Sequence, residues 1–361
     1  MIMKKFMFLI PVAALAMTAC TNETNEFVGS DQAREISFAP VAQPNTRATA
    51  AIDGETFPTD YNFFISAFAV DANGDYFNKA EYAREGESGN TWSGKDASNK
   101  QYWPLSTETL NFLAVTKSDT DGTNTTFGTN TPDAYASKVV VSLGDNRTTQ
   151  HDLMFSYARA AVTKNGNTLT YNSGNNVAMA FKHAQAWVNF TVKAADDATA
   201  AAGIVVTGIQ LKQAVYNGTA TVTLANYNSK SDALSHTLAW DETAYTSATK
   251  YDVDVPANKT TFSNVTVNST SKTAAGDGLM IVPNPTKTGG DLNASFTTFI
   301  VSYTLNGNAY TFEYTPTDAQ KRMEPAHKYD FNITFTLHEI KVDATVTDWT
   351  DADYAVNIPN A

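Results

Sequence analysis

From Glu35 to its last residues this 361-residue chain is written as short runs of alternating apolar and polar side chains, each stopped by Gly, Asn, Asp or Pro. Period-two alternation puts every second side chain on one face of an extended strand, so such a chain buries its apolar half only by pairing strands into sheets. The first run is Glu35-Ile36-Ser37-Phe38-Ala39, with Pro40 and Pro44 flanking its end in the manner of a half-buried strand at a sheet edge. After a small-residue loop from Asn45 to Ala50 the runs recur at Phe63 to Val70, Leu110 to Val115, Val139 to Leu143 and Asp152 to Ala158. The second half continues with Val177 to Ala184 and Ala186 to Val192, which read as paired strands, then Ile204 to Leu211, Ala220 to Leu224, Tyr251 to Val255, Leu279 to Pro283, Phe296 to Leu305 and Tyr310 to Tyr314.

Turn chemistry punctuates the runs. Asn73-Gly74, Asn217-Gly218 and Asn306-Gly307 predict hairpin turns, because Asn-Gly favours the positive φ those turns need. A Gly/Asn-rich patch from Lys164 to Asn176 breaks the pattern and is expected to separate two domains. Only Ala194 to Ala202 and Thr317 to Met323 read as helical turns, too short to organise a core. The length suits two domains, and about eight short strands in each half predict an all-β chain of two tandem β-sandwiches.

The first nineteen residues stand outside this pattern. Lys4 and Lys5 precede an apolar run, Phe6 to Leu15, too brief to span a bilayer, which predicts a secretion signal. Met17-Thr18-Ala19-Cys20 resembles the lipobox of bacterial lipoproteins, with Met where Leu is usual, and implies acylation of Cys20; the alternative is an ordinary signal-peptide cysteine. Cys20 is the single cysteine, so no disulfide or thiol chemistry is available to the rest of the chain. The polar stretch Thr21 to Asp31 reads as a tether. A net charge of -12 repels phosphate backbones and argues against a nucleic-acid partner.

The C-terminus carries three further alternating runs: Tyr329 to Leu337, then Ile340, Val342, Ala344 and Val346, then Tyr354, Val356 and Ile358. Catalytic constellations are missing. The five histidines, His151, His183, His236, His327 and His338, are scattered singly, without ligand spacing or triad order, and His183 lies inside a strand pattern. Asp119 to Asn124 has calcium-like oxygen spacing but lacks the bidentate Glu, and reads as a turn. No cofactor, no metal and no enzymatic activity are expected. Trp92, Trp103, Trp187, Trp240 and Trp349 could stack on sugars, although core packing is the default for such side chains.

Taken in order, the lipobox-like Cys20, the Ile36 to Phe38 strand, Asn45-Thr46-Arg47-Ala48, Tyr102-Trp103-Pro104, Phe181-Lys182-His183-Ala184 and Ile340 to Trp349 with its Val-Thr-Asp-Trp ending resemble the fimbrillin family, the type V pilins of Gram-negative anaerobes. The resemblance implies transthyretin-like, Greek-key sandwiches and export as a lipoprotein to the outer membrane. It further implies cleavage by an Arg-specific protease between Arg47 and Ala48, and head-to-tail assembly with other copies or related pilins into an adhesive fimbria. Residues 1–19 would be the signal peptide, 20–47 a lipidated propeptide carrying the first strand, 48–172 and 173–339 the two sandwiches, and 340–361 a candidate donor strand.

Losing Ile36 and Phe38 would leave an apolar slot edged by unpaired backbone, and refilling it would recover roughly 1.5 to 3 kcal/mol per side chain. A neighbour's tail, through Ile340, Val342 and Val346 or through Tyr354, Val356 and Ile358, has the alternation to refill it, unless Ile340 to Val346 is the last strand of its own domain. Arg34 is a second conceivable cut site. The alternative functions are a non-polymerising adhesin or glycan-binding lipoprotein and an anchor or tip subunit of the same pilus, with a host receptor or glycan as partner.

Overall fold

A computed structural model of the chain describes residues 34–42, 57–86, 89–116, 125–131, 134–142, 152–212, 217–241, 264–274, 279–283, 295–296, 298–337 and 339–348. It is nearly all β, as the alternation requires. The first half contains β1 (Phe38–Ala42), β2 (Phe63–Ala69), β3 (Gly74–Arg84), β4 (Trp92–Gly94), β5 (Glu108–Thr116), β6 (Thr125–Thr131), β7 (Ala134–Ser142), β8 (Met154–Asn165) and β9 (Thr168–Tyr171). Then come β10 (Val177–His183), β11 (Ala186–Ala194), α1 (Asp197–Ala201), β12 (Val205–Lys212), β13 (Asn217–Ala225) and β14 (Ser235–Asp241). The chain continues through β15 (Val265–Thr266), β16 (Thr273–Ala274), β17 (Leu279–Ile281), β18 (Thr298–Leu305), β19 (Asn308–Tyr314), α2 (Asp318–Lys321), β20 (His327–Phe335) and β21 (Ile340–Asp348).

Strands β10, β1, β4, β3, β2, β5 and β8 follow one another around a sheet that returns on itself, because β10 also pairs with β8. The result is a seven-stranded ring with β9 appended, where two open sheets were expected. Closure leaves the ring strands without the exposed edges that invite aggregation. Strand β2 shows how sequence and packing agree. All seven of its residues are buried, with Phe63, Ile65 and Ala67 in the ring's core and Phe64 and Phe68 in a second core outside it, so an unbroken apolar run is what the site demands.

That second core belongs mainly to the other half of the chain. A sheet ordered β16-β11-β20-β21, with β17 also on β11, shares it with a sheet ordered β15-β12-β18-β19. Phe190 of β11 meets Phe299 of β18 edge-on at 5.0 Å, and Phe299 meets Phe331 of β20 at 5.3 Å, so these two sheets pack as a sandwich. The remaining sheet, β14-β13-β7-β6, joins the halves: β7 from the first pairs with β13 from the second over eight positions, Asn217↔Ser142 to Leu224↔Tyr135.

Several local expectations are corrected. The patch from Lys164 to Asn176 forms the β8–β9 hairpin, turning through Gly166 at φ 62°, and then leads into β10, a strand of the ring; hydrogen-bonded pairing thus crosses residue 172. Val177 to His183 and Ala186 to Ala194 are consecutive but unpaired: β10 belongs to the ring and β11 to the sandwich. Asn217-Gly218 opens β13, where extended pairing with Ser142 and Val141 of β7 overrides its turn preference. The other two Asn-Gly pairs do turn, with Asn73 at φ 53°, Asn306 at 51° and Gly307 at 79°. Both helical turns stand where expected: the Asp196 carboxylate caps α1 by accepting from Thr199 N, and Thr317 with Gln320 forms a capping box on α2.

Candidate functional site

The leading segment, residues 34–42, threads through the ring between β10 and β4. Phe38 to Ala42 pair in parallel with Val177 to Phe181, and Phe38 also lies opposite Trp92 of β4. Val177 N donates to Ser37 O at 2.9 Å while Ile36 N donates to Gln101 O at 2.8 Å. Odd-numbered residues therefore turn their backbone groups to β10 and even-numbered ones to the opposite side. Pro40, which has no N–H, falls on the side where pairing to β4 has already ended, so its missing donor costs nothing.

Ile36 and Phe38 are wholly buried, as their alternation predicted. The Phe38 ring sits edge-on to Phe63 at 6.0 Å, Tyr82 at 4.9 Å and Phe112 at 5.3 Å. Phe57, also fully buried, closes the pocket against Trp92 at 5.6 Å and Phe181 at 4.6 Å. Such a pocket exists because one strand supplies the ring's missing aromatic side chain.

The other end of the segment is polar. Trp103 N donates to Arg34 O at 2.8 Å, and the Glu35 carboxylate accepts from Lys100 Nζ at 2.9 Å. The Arg34 guanidinium donates to Gly174 O at 2.9 Å, to Asn175 O and to Asn175 Oδ1, and lies 5.1 Å from the Tyr171 ring centroid. Partial burial lowers its pKa from the ordinary arginine value. The Ser37 hydroxyl donates to Asn176 Oδ1 at 2.6 Å, and the Asn176 amide reaches Thr91 Oγ1 at 3.0 Å. Reading the sequence missed this receptor, and the Asn175-Asn176 pair before β10 is the only signal that could have marked it.

The C-terminal candidate lies elsewhere. Ile340, Val342 and Val346 belong to β21, which pairs antiparallel with β20 from His327↔Asp348 to Phe335↔Ile340 and forms the outer strand of its sheet among the described residues. Ile340 and Val342 are half-buried against the second core, while Val346 is exposed. The structure does not bring these residues to the β1 pocket, whose side chains form a separate core. Cys20, Arg47, Ala48, Tyr354, Val356 and Ile358 lie outside the described residues, as do Trp349 and Asp119 to Asn124.

Residues 46–349 match the family described as fimbrillin-like. The chain belongs to that family. Two of the segments that carried the resemblance flank the leading strand of this fimbrillin: Trp103 bonds Arg34, and Phe181 closes the pocket beside Phe57. No curated protein matches the chain. Among solved structures, a fimbrial protein from Bacteroides vulgatus is 16% identical, covering 88% of this chain and 100% of its own, at a TM-score of 0.49. A candidate cell adhesion protein from Bacteroides ovatus is 14% identical over 89% of this chain and 100% of its own, at 0.47. A fimbrial assembly protein from Parabacteroides distasonis is 10% identical over 88% and 100%, at 0.41.

Within this fimbrillin no group of three or more His, Cys, Asp or Glu side chains among the described residues could hold a metal ion. Trp92, Trp103, Trp187 and Trp240 are all buried, so they offer no surface on which a sugar could stack. His183 is buried too, its Nδ1 lying 2.9 Å from Asp152 Oδ2 where β10 closes on β8.

Proposed function

We propose that this chain is a structural, non-enzymatic subunit of a cell-surface fimbria, exported as a lipoprotein acylated at Cys20 and assembled by strand exchange after cleavage between Arg47 and Ala48. The observation that carries the reading is the placement of the leading segment, residues 34–42: its Ile36 side chain and, in β1, its Phe38 side chain are fully buried in a ring otherwise built from residues after 56. Withdrawing it would leave β10 and the Gln101 to Trp103 edge with unpaired backbone groups and an aromatic-lined slot. A second copy's extended tail is the natural occupant, since backbone bonds would hold it and alternate side chains would fill the pockets. Such a contact is head-to-tail and does not close, so it propagates as a fibre.

We assign the donor role to Tyr354, Val356 and Ile358 rather than to Ile340, Val342 and Val346. Strand β21 already pairs with β20 along its whole length, and its withdrawal would uncover part of the second core. The test is processing with an Arg-specific protease followed by SDS-resistant ladders and electron microscopy. Arg47→Gln should abolish both, and chains ended after Trp349 should fold and be cut but stay monomeric. Filaments from the chain ended after Trp349, lost only when it ends after Leu337, would move the donor to β21; filaments from Arg47→Gln would end the proposal.

A further inference from the structure

Arg34 is anchored wholly by groups outside the leading segment. Its guanidinium meets two main-chain carbonyls and one amide oxygen in the turn between β9 and β10, and one face covers the Tyr171 ring. Three acceptors and an aromatic face suit a planar, forked cation, whereas an ammonium would meet them one at a time. Two residues on, Ile36 enters its pocket, and the Ser37 hydroxyl ties the intervening strand to Asn176. None of these contacts depends on chain continuity at residue 47.

We propose that the β9–β10 turn is a binding site for a guanidinium carried on an extended strand, placed two residues ahead of the first buried apolar side chain, and that it retains residues 34–42 in the ring after the chain is cut downstream. Cleavage then arms the subunit without opening it. The leading strand stays bound as a separate peptide until another strand displaces it, so the slot is never left empty in water. Displacement, rather than proteolysis, limits the rate at which subunits join. This purpose rests on the proposed function; the retention itself does not.

The experiment uses the full chain labelled with a fluorophore at Cys20, its single cysteine, and carrying a sequence-specific protease site across residues 43–49, so that it is cut whether or not Arg47 is the natural point. After complete cutting, the labelled fragment should stay with the protein on size exclusion. Its release in the presence of excess unlabelled peptide of residues 34–42 should be about tenfold faster in Arg34→Ala, the effect expected of losing charge-assisted hydrogen bonds. Arg34→Lys should recover only part of the difference. A second measurement needs no variant protein: with the unsubstituted chain, the peptide bearing Arg34 should displace the labelled fragment at about tenfold lower concentration than one bearing Lys there. Immediate loss of the fragment on cutting, or equal release from the unsubstituted and Arg34→Ala chains, overturns the retention site. A retained, Arg34-dependent fragment in a chain that never forms filaments upholds the site and overturns the proposed function instead.

Discussion

Phe38 and Tyr82 meet edge to face, their ring centroids 4.9 Å apart and both side chains fully excluded from solvent. The contact joins β1 to β3, and it is one of three edge-on contacts that Phe38 makes among the described residues. Truncating such a side chain loses its burial and leaves a cavity that a closed ring cannot readily collapse around. Phe38→Ala should therefore cost about 3 to 5 kcal/mol in denaturant unfolding. Val346→Ala, on the exposed outer strand β21, should stay within about 0.5 kcal/mol of the unsubstituted chain.

Arg34 should resist an Arg-specific protease in the folded chain. Its guanidinium is committed to the β9–β10 turn and its carbonyl accepts from Trp103 N, so neither the specificity group nor the scissile peptide is free to enter a protease cleft. Mass spectrometry of a timed digest should find an N-terminal fragment ending at Arg47 and none ending at Arg34. Prior unfolding in denaturant should make the Arg34 cut appear.

The alternation of Glu35 to Ala39 was enough to place Ile36 and Phe38 in a core, because period two states which side chains share a face. It says nothing about which strand lies alongside. The partner of Phe38 is Val177, in a parallel pairing that no local turn announces, and the same holds for the closure of β10 on β8 and for β7 against β13. Hairpins were legible where Asn73-Gly74 and Asn306-Gly307 could turn freely, and Asn217-Gly218 was misread because pairing with Ser142 and Val141 of β7 outweighs a turn preference. The Arg34 receptor was hidden for a similar reason: carbonyl groups leave no mark in a sequence, and only their convergence makes a site.

Arg159 makes a comparable convergence at the seam between the halves. From β8 it donates to Asn111 Oδ1 at 2.8 Å, Asp232 O at 2.7 Å, Lys230 O at 2.9 Å and Ser229 O at 2.5 Å, so it pins the β13–β14 turn to the ring. Arg159→Ala should lower stability by about 1.5 to 3 kcal/mol. Hydrogen exchange should show lost protection around residues 226–233, with the ring core unaffected. Arg159→Lys should recover little, since one ammonium cannot reach carbonyls spread along a turn.

The Asp152–His183 pair should matter more than its size suggests. Both side chains are fully excluded from solvent, and the contact sits at the short β8–β10 pairing that closes the ring. Asp152→Ala would leave the buried imidazole without its carboxylate and should cost about 3 kcal/mol, whereas Asp152→Asn keeps an oxygen at the same place and should cost less. The loss should appear first as faster exchange of the β10 amides.

Alkaline pH should unfold this chain through its buried tyrosines. Burial is the main cause that raises Tyr61, Tyr82 and Tyr135 well above the ordinary value of 10.0, with the Asp152 charge adding at Tyr61 and the Glu35 charge at Tyr82. Folding therefore favours the protonated phenols. Below pH 10.0 both folded and unfolded chains hold these protons and stability is undiminished; above it the unfolded chain releases them and the folded chain does not. Stability must then fall as pH rises from the ordinary tyrosine value toward the raised ones, and denaturant midpoints should decline over that window. Phenolate absorbance from these residues should appear together with unfolding rather than before it. Tyr82→Phe keeps the ring that Phe38 packs against and removes one linked proton, so it should flatten the decline; an unchanged slope would show that Tyr82 already ionises in the folded chain.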